Sequence, residues 1–475
     1  MLFNSFQFIL FYIIVLILYY KVNHRFRWIL LLISSCIFYM YFKAIYILIL
    51  LFTIVIDYFA GILLETTSRK YKKIVLLISL IANIGILVFY KYFNFFNENL
   101  GYLFHYFKID YSISNLSFLL PIGLSFHTFQ AMSYTIEIYR GKQKAERHFG
   151  IYALYVLFWP QLVAGPIERP QNILYQFHLP KFFQVSNFKI GIRMILWGLF
   201  KKVVIADSIA SIIRSNYNID IVETSELTSV ISMYLFSIQI YCDFSGYSDI
   251  ALGSAKTMGF DLMKNFNNPY FSKNISEFWR RWHISLSTWF KDYLYIPLGG
   301  SKSGLFKLSR NLFIVFLVSG FWHGASWNFI IWGAIHGMFQ IIYLLFRRYI
   351  PSSKLTSYKL TSIFSVIFTF HLVSIAWIFF RAENFDSSIT ILKSILHFFF
   401  SNNLASFPIL LDGIFTSLHP LLIVSILFMF VYEYYVNLSV VQNSTLKLYI
   451  EMLFLTMLIV LMGTSIQEDF IYFQF

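Results

Sequence analysis

The sequence has few charged residues and almost no cysteine. Charged residues make up 13% of the 475 positions, whereas hydrophobic residues make up 58%. A soluble domain carries about a quarter charged residues, so this chain has too few charges to cover a surface that faces water. Its two cysteines, Cys36 and Cys242, lie in no paired spacing. That excludes a disulfide framework and gives no indication of a metal site.

Long apolar runs take the place of the missing charges. Since a membrane span needs about 20 apolar residues, the sequence predicts an all-α, polytopic membrane bundle of about 11–13 helices. The run that begins at Asn311 is long enough for two short spans. The apolar runs cover residues 6–20, 28–42, 45–64, 74–93, 118–138, 148–163, 190–206, 227–252, 311–346, 362–380, 421–436 and 448–462.

The excess of basic residues indicates how the chain is oriented. The formal net charge is +14, and basic clusters follow the first, third and fifth apolar runs. Lysine and arginine favour cytoplasmic loops, so the pattern predicts an N-terminus outside the membrane. It also favours contact with anionic lipid over nucleic-acid binding. The clusters are Lys21, Arg25 and Arg27; Arg69, Lys70, Lys72 and Lys73; and Arg140, Lys142, Lys144 and Arg147.

The middle of the chain places ionisable residues where membrane helices are expected. Asp243 and Asp249 end an apolar run, and Arg280, Arg281 and His283 crowd the segment 275–300. An ionised side chain at membrane depth costs about 2.5 kcal/mol or more and is tolerated in a bundle interior or a polar cavity. We therefore expect these residues to line a cavity, and 275–300 to be a re-entrant or interfacial segment buried in protein.

His323 is the strongest single candidate for chemistry. It lies in GFWHGASWNFIIWGAIHG (320–337), which also contains Trp322, Asn328 and His336 as candidates for the cavity lining. A neutral imidazole can take a proton from an attacking hydroxyl, and burial or a partner moves its pKa easily. The alternative is a buried histidine that hydrogen-bonds a backbone carbonyl. His336 is less persuasive, because its helix phase relative to His323 is uncertain.

Composition and spacing alone leave an enzyme, a transporter and a scaffold open. Three blocks go further: PQLVAGPIERP (160–170), the stretch from YCDFSGYSD to YIPLGG (241–300) and the block 320–337. Together they resemble the membrane-bound O-acyltransferase family. The resemblance is to the branch with alginate O-acetylation proteins and peptidoglycan O-acetyltransferases, and more distantly to the D-alanyl transfer protein of teichoic acid modification. It is dense over about 160–340 and predicts a single domain over 1–475.

The resemblance implies a bundle of tilted helices and re-entrant segments around a central tunnel. It implies that His323 is the catalytic base and that His283 corresponds to the family's second polar position. His283 would orient or polarise the acyl carbonyl, unless it is a structural partner of the WRRW segment. Asp243, Asp249, Arg280 and Arg281 are expected to form ion pairs that shape the cavity rather than to catalyse.

The last residues form an F-x-Y-x-x-F pattern from Phe470, Tyr472 and Phe475. One interpretation is an aromatic anchor at the membrane interface. The other follows from similarity to the end of a small membrane peptide in the D-alanylation system. By that similarity, the Tyr472 hydroxyl would take the acyl group at His323 and release it outside.

The prediction is an inner-membrane O-acetyltransferase that uses acetyl-CoA as its donor substrate and binds no cofactor. The final acceptor would be a hydroxyl of an extracytoplasmic polysaccharide, either alginate-like or peptidoglycan, reached with a periplasmic acetyltransferase or esterase-like partner. One rival is direct acylation of a lipid or a protein. The other is a transporter or polymer-export scaffold without acyl chemistry.

Overall fold

The structure is a computed structural model that describes residues 1–163, 165–217, 225–302, 304–349, 359–402, 406–436, 445–464 and 468–473. All regular elements among these residues are helices, which confirms the all-α prediction. The chain separates into two compact units, Met1–Ile195 with Ala251–Met263, and Leu196–Ile250 with Lys264–Phe475. This division does not test the prediction of one domain, which stays a prediction.

Among the described residues, the first unit contains nine complete helices, the first part of a tenth and the last residues of Glu226–Thr257. The first ten helices are α1 Phe6–Lys21, α2 His24–Met40, α3 Ile47–Thr66, α4 Arg69–Leu87, α5 Phe93–Tyr106, α6 Leu124–Tyr139, α7 Phe149–Leu157, α8 Trp159–Leu162, α9 Pro170–His178 and α10 Val185–Leu199. Turns of π-helix at Val88–Tyr92 and of 3₁₀-helix at Ala44–Tyr46 join some of these helices.

Buried polar contacts and one close helix crossing tie this unit together. Ser79 and Asn83 donate to the two carboxylate oxygens of Asp57 at 2.6 and 2.8 Å. Such pairing is required where no water can replace a missing partner. A Cβ on Gly191 would lie 2.6 Å from the carbonyl oxygen of Gly253, so only glycine permits that approach.

The second unit begins within α10 and contains the remaining helices. They are α11 Asp207–Tyr217, α12 Glu226–Thr257, α13 Ile275–Arg281, α14 Ile284–Phe290, α15 Gly304–His323, α16 Trp327–Tyr349, α17 Lys359–Arg381, α18 Phe385–Asn402, α19 Ser406–Ser417, α20 Pro420–Tyr435 and α21 Thr445–Met462. Turns of π-helix lie at Phe200–Ala206 and Lys291–Tyr295, and short 3₁₀ turns at Pro269–Phe271 and Ile471–Phe473. The last residues of α12 belong to the first unit.

The chain is a multi-pass membrane protein. Six of its described helices are long and apolar enough to cross a bilayer, or seven spans if Pro408–Ser417 and Pro420–Tyr435, bent by 111°, count as one. The predicted run 311–346 divides into two helices, α15 and α16. The run 148–163 instead breaks at Phe158, because Pro160 can begin a helix but cannot continue one. Several other predicted runs form shorter helices, such as the 16-residue α1 and the 17-residue α2.

The segment 275–300 is predicted not to form a spanning helix, and it does not form one. It folds into α13 and α14, of seven residues each, followed by the π-helical turn Lys291–Tyr295. At about 1.5 Å per residue each helix is only about 10 Å long. The short helices leave a break at Trp282 and His283, which carries part of the site described below.

A reciprocal glycine contact sets the spacing between the end of α10 and α12 in the second unit. A Cβ on Gly198 would lie 2.5 Å from the Gly246 carbonyl oxygen, and a Cβ on Gly246 would lie 2.7 Å from the Gly198 carbonyl oxygen. Both obstacles are backbone atoms and cannot swing away. The contact therefore brings the residues just after Gly198 against α12.

We predict that Gly246→Ala lowers the stability of the protein by about 1–3 kcal/mol, because the helices must separate. The matched control is Gly85→Ala, since Gly85 also lies in a helix but an added Cβ there meets nothing within 4 Å. Alanine at position 85 should stabilise the protein by about 0.5–1 kcal/mol. Thermal unfolding in detergent, followed by size-exclusion chromatography, measures both. Equal midpoints for the two variants would contradict the close crossing.

Candidate active site

His323 is the last residue of α15 and is 4% exposed. Gly324 follows it, and a Cβ at that position would lie 2.0 Å from the ring of Phe329. Glycine therefore leaves room for the Phe329 ring to pack against the chain between α15 and α16. Aromatic rings surround the imidazole, with centroid distances of 4.9 Å to Trp322, 5.1 Å to Trp332 and 5.4 Å to Phe380. Such walls keep water from the imidazole.

His283 occupies the break between α13 and α14 in a left-handed backbone conformation, with φ 42° and ψ 55°. For a residue with a Cβ this conformation costs about 1–2 kcal/mol. Hydrogen bonds fix the next residues: Ile284 N–H donates to the Asn265 carbonyl at 2.8 Å, and the Ser285 hydroxyl to Asn265 Oδ1 at 2.6 Å. Burial lowers the pKa of His283 to about 3, so its imidazole is neutral at physiological pH.

Tyr472 brings its aromatic ring close to both histidines. Its ring centroid lies 5.7 Å from that of His323 and 6.4 Å from that of His283, and 4.6 Å from that of Phe244. The hydroxyl oxygen is buried, and burial raises the pKa of this phenol above its ordinary value. We refer to His283, His323 and Tyr472 as the histidine–tyrosine cluster. Phe475 lies outside the described residues.

A second group of buried side chains, Lys202, Asp207 and Asp243, forms what we call the lysine–aspartate cluster. Lys202 Nζ lies 2.8 Å from Asp207 Oδ1 and 2.8 Å from Asp243 Oδ1. All three residues are at most 2% exposed. They line a cavity of about 60 Å³ together with Gln239, Arg381, Glu468, Asp469 and others, which is room for a few water molecules.

The neighbouring lysine has different partners. Lys201 Nζ lies 2.7 Å from Asp249 Oδ2 and 3.6 Å from Glu433 Oε1. Tyr241 also contacts the Glu433 carboxylate, at 2.7 Å. Asp243 thus lies in a buried ion pair and Asp249 in a partly exposed one. Their role in shaping a cavity stays a prediction.

The other predicted residues lie elsewhere in the described part of the chain. Arg280 is exposed, and Arg281 pairs with Glu277 at 2.7 Å on the same helix. Asn328 donates to the Ala382 carbonyl at 2.8 Å and so ties α16 to the end of α17. His336 accepts from Trp279 Nε1 at 3.3 Å. The structure thus groups Trp322 with the histidine–tyrosine cluster. Arg281, Asn328 and His336 make other contacts.

Sequence reasoning missed the lysines. Lys201 and Lys202 stand inside the apolar run 190–206, and Asp207 follows it directly. An ionisable residue in an apolar run marks a buried polar site. This rule selected Asp243, and it applies equally to Lys201, Lys202 and Asp207. A π-helical turn at Phe200–Ala206, of a kind often found at functional sites, holds the two adjacent lysines. Phe244 and Phe380 carried no sequence signal, because aromatic residues occur throughout this chain.

The arrangement can supply a base and a nucleophile in a pocket walled by aromatic rings. A neutral imidazole can accept a proton, and a phenol hydroxyl beside it can attack an electrophilic carbon once that proton leaves. A second neutral imidazole can donate one hydrogen bond to a developing oxyanion. Acyl transfer to oxygen needs these three functions.

Comparison with known proteins gives a consistent result. Residues 148–382 match the model of the membrane-bound O-acyltransferase family. The chain is 36% identical to a Helicobacter pylori protein named peptidoglycan O-acetyltransferase, over 79% of this chain and 75% of that protein. It is 37% identical to a Pseudomonas aeruginosa protein named probable alginate O-acetylase AlgI, over 77% of this chain and 69% of that one. A Bacillus subtilis protein named teichoic acid D-alanyltransferase is 30% identical over 56% of this chain and 69% of its own length.

The left-handed backbone at His283 gives a testable ordering of stabilities. We predict that His283→Gly is more stable than His283→Ala by about 1 kcal/mol, although glycine fills less space, because only glycine adopts this conformation without strain. Thermal unfolding of both variants in the same detergent checks it. An alanine variant as stable as the glycine variant would contradict the conformation.

Proposed function

The chain belongs to the membrane-bound O-acyltransferase family, and from that premise we propose that it moves an acetyl group across the inner membrane through Tyr472. The acetyl group comes from a thioester on the cytosolic side, with acetyl-CoA as the donor substrate. It passes to the Tyr472 hydroxyl, and then to a hydroxyl of an extracytoplasmic polysaccharide. The observation that carries the proposal is the position of the Tyr472 ring, 5.7 Å from His323 and 6.4 Å from His283.

The first half-reaction makes an ester on Tyr472. His323 takes the phenolic proton as the oxygen attacks the thioester carbonyl, and the tetrahedral intermediate collapses with loss of the thiolate. The protonated imidazole then returns its proton to that thiolate. A base is needed at the moment of attack because burial raises the pKa of the phenol and keeps it protonated beforehand.

His283 fits the role of oxyanion donor in this step. Its ring lies 4.7 Å from Phe244 and 6.4 Å from both Trp322 and Tyr472, and its neutral imidazole carries one N–H. A donor already in place where charge develops stabilises the transition state without reorganisation. The competing interpretation, a structural partner of WRRW, rests on Trp282, whose ring packs on Phe278 and Trp377.

The second half-reaction regenerates the tyrosine. An acceptor hydroxyl, on the polysaccharide or on the partner protein proposed below, gives its proton to His323 and attacks the ester carbonyl. The phenolate leaves and takes that proton back. A phenolate is a better leaving group than an alkoxide because its conjugate acid is far more acidic. Transfer from the tyrosyl ester to a sugar hydroxyl is therefore favourable.

The names of the relatives support the choice of acyl group and acceptor. Two are named for O-acetylation, one of peptidoglycan and one of alginate, and the teichoic acid D-alanyltransferase is a more distant relative. We propose a polysaccharide acceptor of this kind, and a periplasmic acetyltransferase or esterase-like partner that completes the transfer. We propose an N-terminus outside the inner membrane, because basic loops favour the cytoplasmic side.

We predict that His323→Ala lowers O-acetylation about 10²–10⁴-fold, the usual contribution of a general base. Tyr472→Phe should lower it as far, because it removes the nucleophile and keeps the ring. Ester-linked acetate is measured on purified peptidoglycan and on secreted polysaccharide from cells that carry each variant, with membrane levels of the protein matched.

Acetate lost from one polymer alone would identify the acceptor. Acetate unchanged on both polymers, with well-folded His323→Ala protein, would contradict the polymer proposal and point to lipid or protein acceptors. If His323→Ala loses acetate and Tyr472→Phe keeps full activity, His323 remains the proposed base. The tyrosyl ester is then contradicted.

A further inference from the structure

Two charged side chains hold the backbone on either side of Phe470. The Lys202 ammonium donates to the Glu468 carbonyl at 3.1 Å, and the Ile471 N–H donates to Asp243 Oδ2 at 2.7 Å. Lys202 and Asp243 are themselves paired at 2.8 Å. The residues Glu468–Phe473, which we call the 468–473 segment, are therefore fixed at two points by one ion pair.

The Lys202–Asp243 ion pair is almost fully buried, so its effect on stability alone does not explain it. Lys202 is 1% exposed, and Asp207 and Asp243 are each 2% exposed. Removing such charges from water costs about as much as their attraction returns, so a buried pair is weak evidence for stabilisation. Fixing one arrangement of the chain is the better-attested use of buried polar groups.

The anchored amide lies directly before the tyrosine. Ile471 begins the 3₁₀ turn Ile471–Phe473, so its N–H fixes the backbone that carries Tyr472. Phe470 packs 4.4 Å from Tyr247 and 5.6 Å from Phe244. Phe244 in turn contacts Tyr472 at 4.6 Å. The position of the phenol ring beside His323 thus depends on the position of the Ile471 amide.

The Lys201–Asp249 pair provides an internal comparison. It lies on the same two elements, with its nitrogen and oxygen 2.7 Å apart and Lys201 2% exposed. Its further partner is Glu433 on α20. Within the described residues, neither Lys201 nor Asp249 bonds to the 468–473 segment. The two pairs therefore differ in what they hold.

We propose that Asp243, oriented by Lys202, is a positioning residue that anchors the Ile471 amide and so places the Tyr472 hydroxyl at His323. This inference rests on the proposed function, because the position of the Tyr472 hydroxyl matters only if Tyr472 receives the acyl group. Asp243 takes no part in bond making. It acts through the backbone, and its loss should move the nucleophile without removing it.

The test compares Asp243→Ala with Asp249→Ala in the full-length chain. Each variant deletes one carboxylate of α12 that pairs with a buried lysine, so the loss of a lysine–aspartate pair is common to both. Amide hydrogen exchange of the peptide that covers 468–473 reports the anchor, and mass spectrometry of acetyl ester on Tyr472, after mixing with acetyl-CoA, reports the nucleophile. We expect faster exchange at this peptide in Asp243→Ala alone. Per folded protein, it should form ester about 100-fold more slowly than Asp249→Ala, the usual effect of a displaced reacting group.

The outcomes separate this inference from the proposed function. No tyrosyl ester in the wild-type protein would overturn the proposed function and this inference with it. Ester in the wild type with equal rates in the two variants, or unchanged exchange in Asp243→Ala, would overturn the positioning role alone. If Asp243→Ala does not fold, Asp243→Asn replaces it. The weaker neutral hydrogen bond should then give the same changes in the same direction, and unchanged exchange and ester rate would overturn the role.

Discussion

The bond between the Asp243 carboxylate and the Ile471 amide depends on a chain of physical requirements. A carboxylate this deeply buried needs a cation, which Lys202 supplies at 2.8 Å. Lys202 reaches α12 because Gly198 and Gly246 let their backbones approach to a distance that no Cβ would permit. The glycine contact thus permits the ion pair, and the ion pair orients the carboxylate that accepts the hydrogen bond from the Ile471 N–H. That hydrogen bond in turn fixes the backbone next to Tyr472.

The surroundings of the histidine–tyrosine cluster suit acyl transfer from a reactive ester. Rings of Trp322, Trp332 and Phe380 cover His323, and Phe244 contacts both His283 and Tyr472. A pocket walled by aromatic rings limits hydrolysis of the acyl group and strengthens the polar contacts that remain. The strained backbone at His283 fits this picture, because strain of this kind is found where the fold must hold a side chain in place.

The sequence predicted the fold class, the family and the enzyme class, and all three are confirmed. Apolar length alone predicts membrane helices, and the motif blocks carry the family. The pairing of Lys202 with Asp243 and with the Glu468 carbonyl could not be read from it, because these residues are up to 266 positions apart and no periodic pattern links them. The left-handed backbone at His283 could not be predicted from the sequence either, since histidine does not indicate this conformation as glycine does. Its neighbours in sequence predict a cavity position for Arg280, but its side chain on α13 is exposed.

The central claim is that His323 makes Tyr472 a carrier of the acyl group. The most direct measurement mixes purified protein with isotopically labelled acetyl-CoA, quenches the mixture and examines the peptide that contains Tyr472 by mass spectrometry. The account predicts labelled acetyl ester on Tyr472 in the wild-type protein and almost none in folded His323→Ala protein. No labelled ester on Tyr472 in the folded wild-type protein, or equal labelling of Tyr472 in folded His323→Ala protein, would contradict it.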